Sequence, residues 1–169
     1  QRGEVKERFG KIMTVQKKIK TDTKDWKHSP KYVFLHTFSH AVMKSMARLA
    51  GYSIASFTER IYCSDDMAGI FIYTSSASSD GSLGGLVDIA RKGESRIEYV
   101  LDNAVQESGS CSCDPLCSMQ EPEVKQGYVG AACHACELLP ETCCENMNML
   151  LDRGMIDRTL RDSMGFFGI

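Results

Sequence analysis

The chain has 169 residues, of which 43% are hydrophobic and 25% are charged, an ordinary balance that excludes a disordered or collagen-like protein. No apolar run approaches the roughly 18 residues of a membrane span, and no apolar stretch follows the basic N-terminal residues, so we expect a cytoplasmic protein without a signal peptide. The first residue is Gln1 rather than methionine, which favours a piece of a longer protein.

Charge is distributed unevenly along the chain. The formal net charge is −2, but residues 1–28 contain nine Lys/Arg against four Asp/Glu, which leaves +5 there and −7 for the remainder. Apolar residues spaced by three, four and seven positions predict an amphipathic helix over residues 3–20. Its lysines, Lys17 and Lys18 among them, are candidates for contact with a nucleic-acid phosphate, although a solvated helix face is the commoner explanation.

A second helix is predicted from Pro30 to about Ala50. Ser29 is placed to cap it, proline suits its first position, and Gly51 suits its end. Residues 52–62 are ambiguous, and two serines that could act as caps favour a short helix there.

A strand is predicted over residues 69–74, where β-branched and aromatic residues follow one another between polar turns. Helical turns are expected at Leu86–Ala90, over residues 95–105, and from about Pro140 to Leu160. The apolar residues assigned to the inner faces of the last two are Ile97, Val100, Leu101, Ala104, Met147, Leu150 and Leu151.

Cysteines are concentrated near the C-terminus. Seven of the eight lie between Cys111 and Cys144, and only Cys63 stands apart. Without a secretory signal, a reducing compartment disfavours disulfides and favours metal ligation. The C-x-x-C pair Cys133 and Cys136 can hold two corners of a tetrahedron, and a pair from the preceding segment can complete it.

The ligand set that we favour is Cys111, Cys117, Cys133 and Cys136. Cys144 is the leading alternate and Cys113 follows it, while Cys143 is expected to pack or to face solvent. Zinc is the favoured ion, with an iron–sulfur cluster or unligated cysteines as alternatives.

The zinc is expected to be structural. Four thiolates close the coordination sphere and make the ion a poor Lewis acid, whereas a catalytic zinc keeps an open position for water. Glu137, Glu141 and Glu145 are close enough in sequence to serve as a general base if the site were open. The overall prediction is an α+β fold, mainly helical, with a small sheet and a cysteine-rich zinc-binding excursion before the last helix.

The glycine-rich stretch over residues 78–85 lies between the predicted strand and a helix, where backbone amides can bind a phosphate. Ser82, Gly84 and Gly85 are therefore candidate phosphate or nucleic-acid contacts. The stretch lacks the patterns of a P-loop or a dinucleotide site, and Asp80 would repel an anion, so a tight turn is the commoner explanation.

His36 and His40 are four residues apart on the predicted second helix, a spacing that some metal sites use. The pattern of a zinc protease fails because no glutamate lies between them. Two histidines at the edge of the core are the commoner explanation, and a hydrolase-like enzyme that uses them near the glycine-rich stretch is the alternative function.

Several motifs in order resemble the MrfA-type zinc-binding domain. They are Leu35-His36-Thr-Phe-Ser-His40, Glu59-Arg60-Ile-Tyr62, Asp80-Gly-Ser-Leu-Gly-Gly85, Asp114-Pro-Leu-Cys117, Ala132-Cys133-His-Ala-Cys136, Glu141-Thr-Cys-Cys144-Glu145 and Leu151-Asp-Arg153. Such domains occur at the C-terminus of MrfA-like DNA helicases and in DrmB-like proteins of the DISARM anti-phage system.

The resemblance implies a noncatalytic, zinc-stabilised accessory domain of a DNA-processing or defence assembly, with DNA and a helicase subunit as partners and no small-molecule substrate. We therefore expect a basic N-terminal helix and connector over residues 1–30 and a zinc-binding domain over residues 31–169. The fifteen residues between Cys117 and Cys133 exceed the spacing in MrfA-like members, which leaves the four ligands open.

Overall fold

The computed structural model describes residues 29–74, 84–120 and 129–157. These ranges form three α-helices and one two-stranded antiparallel sheet, which confirms the predicted α+β class. The elements are α1 (Pro30–Ala50), β1 (Phe57–Cys63), β2 (Ala68–Thr74), α2 (Gly84–Arg91) and α3 (Glu94–Ser108). The helix predicted over residues 3–20 lies outside the described residues. None of the helices in the described ranges has both the length and the apolar character that a bilayer crossing demands.

Helix α1 is the centre of the fold. Its N-terminus is capped as predicted, because the Ser29 hydroxyl accepts the Tyr32 amide at 3.1 Å, and Gly51 ends it in the left-handed conformation with φ of 73°. Three clusters of buried apolar side chains surround α1, and each includes residues from it: one contains Ile61 and Met155, one contains Val100 and Ile156, and one contains Phe57 and Leu139.

The helix predicted over residues 52–62 was wrong. Ser53 caps only a single 3₁₀ turn, Ile54–Ser56, and the chain then enters β1. Burial alternates along β1, with Phe57, Glu59 and Ile61 facing inward. Pairing with β2 from Phe57–Thr74 to Cys63–Ala68 outweighs the local capping signal, because aromatic and β-branched residues suit a half-buried sheet.

The last predicted helix was also wrong over residues 140–157. This segment contains two short 3₁₀ helices, Glu141–Cys143 and Arg153–Met155, instead of a continuous α-helix. Met147, Asn148 and Leu150 have φ values of 52°, 59° and 63°, a left-handed conformation that interrupts any helix. Leu150 and Leu151 are buried as expected, whereas Met147 is exposed.

Helices α2 and α3 match the predicted positions and pack on α1. Val100 and Ala104 are buried against it as expected. Ile97 and Leu101 were assigned to the same inner face but are exposed. The inner face of α3 is therefore narrower than the apolar pattern indicates.

Candidate metal centre

Four cysteine side chains meet between the end of α3 and the segment that follows residue 129. Their sulfur atoms lie within 4.8 Å of one another, and we call them the four-cysteine cluster: Cys111, Cys117, Cys133 and Cys136. The Sγ–Sγ distances are 3.4 Å for Cys111 and Cys133, 3.6 Å for Cys117 and Cys136, and 3.7 Å for Cys133 and Cys136.

A tetrahedral zinc ion fits these distances. Zinc–sulfur bonds of about 2.3 Å place the corners of a tetrahedron about 3.8 Å apart. The structure therefore brings together the four cysteines favoured from sequence. Their assignment as the zinc ligands stays a prediction.

Asp114 shapes the turn that holds the first two cysteines. Its carboxylate accepts the Cys111 amide at 2.9 Å and the Ser118 amide at 3.0 Å. These two bonds fold residues 111–118 into a compact turn, so Cys111 and Cys117 point to the same side. Sequence reasoning did not assign this function to Asp114, although an aspartate at a turn is a known signal for such bonds.

The C-x-x-C turn holds the other two cysteines through its backbone. The amide of Cys136 donates to the Cys133 carbonyl at 3.1 Å, and the amide of Cys133 donates to the Cys136 sulfur at 3.2 Å. An amide that donates to sulfur stabilises the thiolate form, which is the form that binds metal.

The protonation chemistry of the cluster also suits a bound cation. Burial raises the pKa of Cys117 to about 12 and raises the pKa of Cys136 further. Burial acts in the same direction on Cys133, but hydrogen bonds from Cys111 and from backbone amides outweigh it and lower its pKa to about 6. The buried thiols can all become thiolates only when a cation replaces their protons, as zinc does.

Two basic side chains lie next to this cluster. Arg153 is fully buried, pairs with Asp114, and donates from Nη1 to the Ser108 carbonyl at 3.3 Å. Lys44 donates to the Cys136 carbonyl. Four thiolates around one Zn²⁺ carry a net charge of about −2, which these two cations offset. Arg153 belongs to the family motif quoted above, but its position beside the cysteines emerges only from the tertiary structure.

The remaining cysteines are not among these four. Cys113 is exposed and borders the four-cysteine cluster, where its amide donates to Cys111 Sγ at 3.3 Å. Cys143 is fully buried and packs with Met43 and Phe57, which is the packed one of the two expected alternatives. Cys63 is half-buried at the end of β1.

The structure separates Cys144, the leading alternate, from the four-cysteine cluster. Its sulfur lies 3.1 Å from His36 Nε2, in a second group that we call the mixed cluster: His36, His40, Glu59 and Cys144. The two histidines are thus deep in the core rather than at its edge. Sequence reasoning missed the contact of these histidines with Cys144, because His36 and Cys144 are 108 positions apart in the chain.

The mixed cluster perturbs the ionisation of its members. Burial lowers the pKa of His40, but Cys144 and Glu59 outweigh burial and raise it to about 10. Burial raises the pKa of Glu59 and Cys144, and the two histidines outweigh it, which brings these pKa values to about 2 and about 7. These shifts reflect the mutual attraction between the two imidazole rings and the two acidic side chains.

Three of the five candidate contacts for phosphate or nucleic acid lie outside the described residues, namely Lys17, Lys18 and Ser82. Gly84 begins α2, and Gly85 lies so close to α1 that an added Cβ would stand 2.6 Å from the Ala50 carbonyl oxygen. The Gly85 amide donates to the Tyr52 hydroxyl at 3.4 Å. Close packing therefore accounts for Gly85, and its contact with phosphate stays untested.

Comparison with known proteins gives two matches. A family model described as the MrfA Zn-binding domain matches residues 38–137, which include the whole four-cysteine cluster. The chain is also 41% identical over 129 residues to the DISARM protein DrmB of Bacillus paralicheniformis. That alignment covers 76% of this chain and 23% of the relative, so the chain spans about a quarter of the length of that protein.

Proposed function

This chain belongs to the MrfA Zn-binding domain family, and on that premise we propose that it is a noncatalytic accessory domain of an anti-phage or other DNA-processing assembly. In this proposal the domain contacts DNA, a helicase subunit, or both. The observation that carries it is the 41% identity with the DISARM protein DrmB. The cytoplasm, where cysteines remain reduced and available to metal, is the compartment that suits it.

Zinc in the four-cysteine cluster would have a structural role. Thiolates from Cys111, Cys117, Cys133 and Cys136 occupy all four tetrahedral positions and leave none for water or substrate. When bound, the ion cross-links the turn after α3 to the segment 133–136. Both segments are turns without α-helix or β-strand, so this link supplies the stability that a larger hydrophobic core would otherwise provide.

The outer face of the sheet offers a surface for contact. Phe71 and Tyr73 are exposed, and their rings stack with centroids 5.5 Å apart. Tyr62 and the Arg60 guanidinium lie on the same face of the paired strand. Exposed aromatic rings beside a basic group suit single-stranded DNA, because bases stack on the rings and phosphates pair with the cation.

DNA binding can be measured by mobility shift with single- and double-stranded oligonucleotides over a salt series. We expect binding that weakens as salt rises, since contacts with phosphate release counterions. Replacement of Phe71 by alanine is expected to weaken binding to single strands by roughly 5- to 150-fold, the range for loss of one stacked base. Ile97→Ala is the control, because Ile97 is an exposed apolar residue on α3 that offers no ring for base stacking.

Absence of binding to either DNA form at low salt would remove DNA from the proposal. The helicase contact would then be tested by co-purification of the whole parent protein with the helicase subunit of the same system. Failure of both measurements, or hydrolysis of nucleotide or DNA by the zinc-loaded chain, would overturn the proposal.

A further inference from the structure

The mixed cluster joins three parts of the fold inside the core. His36 and His40 come from successive turns of α1, Glu59 comes from the inner face of β1, and Cys144 follows the 3₁₀ helix Glu141–Cys143. The exposed fractions of these residues are 0%, 0%, 1% and 7%. Ionisable side chains are almost never buried to this degree unless they are paired or bind a metal.

The four side chains converge on one point. Glu59 Oε1 lies 2.8 Å from His36 Nε2 and 3.2 Å from His40 Nε2, and His36 Nε2 lies 3.1 Å from Cys144 Sγ. All four ligand atoms lie within 4.8 Å of one another. Tetrahedral zinc with nitrogen and oxygen ligands at about 2.0–2.2 Å requires separations of about 3.3–3.6 Å. A small outward movement of the side chains would therefore admit the ion.

The hydrogen bond made by His40 determines which of its nitrogen atoms carries a proton. His40 Nδ1 lies 2.8 Å from the Glu137 carbonyl oxygen, which can only accept, so Nδ1 must donate. A cation that displaces the Nε2 proton would then meet a lone pair directed toward Glu59 Oε1. A backbone carbonyl on one nitrogen and a free lone pair on the other is the usual arrangement of a metal-binding histidine.

Cys144 is placed as a thiolate. Its sulfur accepts the amides of Asn146 at 3.4 Å and Asn148 at 3.2 Å. The left-handed residues Met147 and Asn148 give this segment the curvature that turns both amides toward the sulfur. As a carboxylate and a thiolate, Glu59 and Cys144 can supply two negative charges to a bound cation, and the two histidines can supply two lone pairs.

Protonation of the two histidines would balance those charges only at a high cost in desolvation. Two imidazolium rings beside a carboxylate and a thiolate would bury four charges, each of which loses its hydration. His36 Nδ1 has no hydrogen-bond partner among the described residues, so a charged His36 ring would also bury an unsatisfied donor. A metal-bound, neutral His36 has the same unpaired Nδ1 but requires no protonated ring.

We propose that His36, His40, Glu59 and Cys144 form a second metal site. It binds a divalent ion such as zinc and links β1 and the segment around Cys144 to α1. One carboxylate and one thiolate neutralise the ion, and the mixture of imidazole, thiolate and carboxylate selects zinc over calcium or magnesium. The site is closed and without access for a substrate, so its role is structural. His36 and Cys144 lie outside the span that the family model matches.

The decisive experiment is a metal count with ligand identification on the whole chain. We expect two zinc ions per chain, and X-ray absorption at the zinc edge should give on average about 2.5 sulfur and about 1.5 nitrogen or oxygen ligands per zinc. One zinc per chain with four sulfur ligands would overturn the proposal and would leave the four-cysteine site intact. One zinc with mixed ligands would support it and would count against the four-cysteine site.

Substitution of Cys144 by serine tests the position of the second ion. Cys144→Ser should lower the content from two zinc ions to one, whereas Cys143→Ser, at the neighbouring buried cysteine outside both clusters, should retain two. Retention of two ions by Cys144→Ser would overturn the proposal. If Cys144→Ser fails to fold, anomalous diffraction from crystals of the unaltered chain decides the question, because a peak among the four side chains supports the site and a lack of one refutes it.

Discussion

The four-cysteine cluster and the mixed cluster both contact the segment 133–137, but they are built in opposite ways. The first draws its side chains from two turns, is only partly buried, and uses residues within 26 positions of one another in sequence. The second draws its side chains from a helix, a strand and a distant segment, and is buried. A short motif can encode the first, whereas only a completed core can assemble the second.

The two clusters also differ in how their charge is balanced. Zinc bound by the four cysteines would retain a charge of about −2, which Arg153 and Lys44 nearby would offset. In the mixed cluster, the Glu59 carboxylate and the Cys144 thiolate would balance the charge of a divalent ion, so the site would need no further cation. The clusters are nevertheless linked, because the Cys136 carbonyl accepts from Lys44 and the next carbonyl, that of Glu137, accepts from His40.

The largest effect is expected from Cys133→Ser. Loss of one thiolate should abolish zinc binding at the four-cysteine cluster, and binding of structural zinc contributes on the order of 10–16 kcal/mol in small zinc peptides. We expect loss of metal and unfolding of the two cysteine turns over residues 111–118 and 133–136, measured by metal content and by hydrogen exchange. Cys113→Ser is the control, since this exposed cysteine lies outside the cluster. Equal metal loss in both variants would contradict the ligand assignment.

The next largest effect is expected from Glu59→Gln in the mixed cluster. It removes a buried anion that faces two histidines, and breaking such a buried group typically costs about 3–5 kcal/mol. Chemical denaturation measures the change in free energy of unfolding.

Glu137→Gln is the matched comparison. Glu137 is as deeply buried as Glu59, but burial raises the pKa of Glu137 and so favours its protonated, neutral form. Glutamine resembles that neutral form. We expect a cost of at most about 1–2 kcal/mol. Equal costs for the two substitutions would show that the mixed cluster has no special dependence on its anion.

A smaller effect is expected from Arg153→Met. It leaves Asp114 without its buried partner, but Asp114 is partly exposed and water can replace part of the lost interaction. We expect a cost of about 2–3 kcal/mol, below the range for fully buried pairs, together with faster release of zinc to a chelator. Arg48→Ala removes an exposed ion pair with Glu107 and should cost less than about 1 kcal/mol with unchanged zinc release. Similar zinc release from both variants would argue against charge balance by Arg153.

The smallest effect on stability is expected from Phe71→Ala on the outer face of the sheet. Phe71 is 55% exposed, and substitutions at exposed positions usually change the free energy of unfolding by less than about 0.5 kcal/mol. Thermal unfolding and metal content should match those of the unaltered chain. A large loss of stability would mean that the aromatic face supports the fold itself rather than a contact surface.

Local signals predicted α1 well and failed where long-range pairing decides the structure. Ser29, Pro30 and Gly51 act within a few residues, so the limits of α1 follow from the sequence. Residues 57–63 carry both helical and extended signals, and only β2 resolves them in favour of a strand. Of the left-handed residues after Cys144, only Asn148 is of a type that favours this conformation, whereas Met147 and Leu150 rarely adopt it and so give no signal in the sequence.

The sequence by itself determined that this chain is a zinc-binding α+β domain, because closely spaced cysteine pairs and ordered motifs are local features that can be recognised without a structure. Only the tertiary structure separated Cys144 from the other cysteines and brought it to two histidines and a glutamate. The physical reason is that the mixed cluster depends on the packing of β1 and the C-terminal segment against α1. That packing is set by buried side chains far apart in the chain.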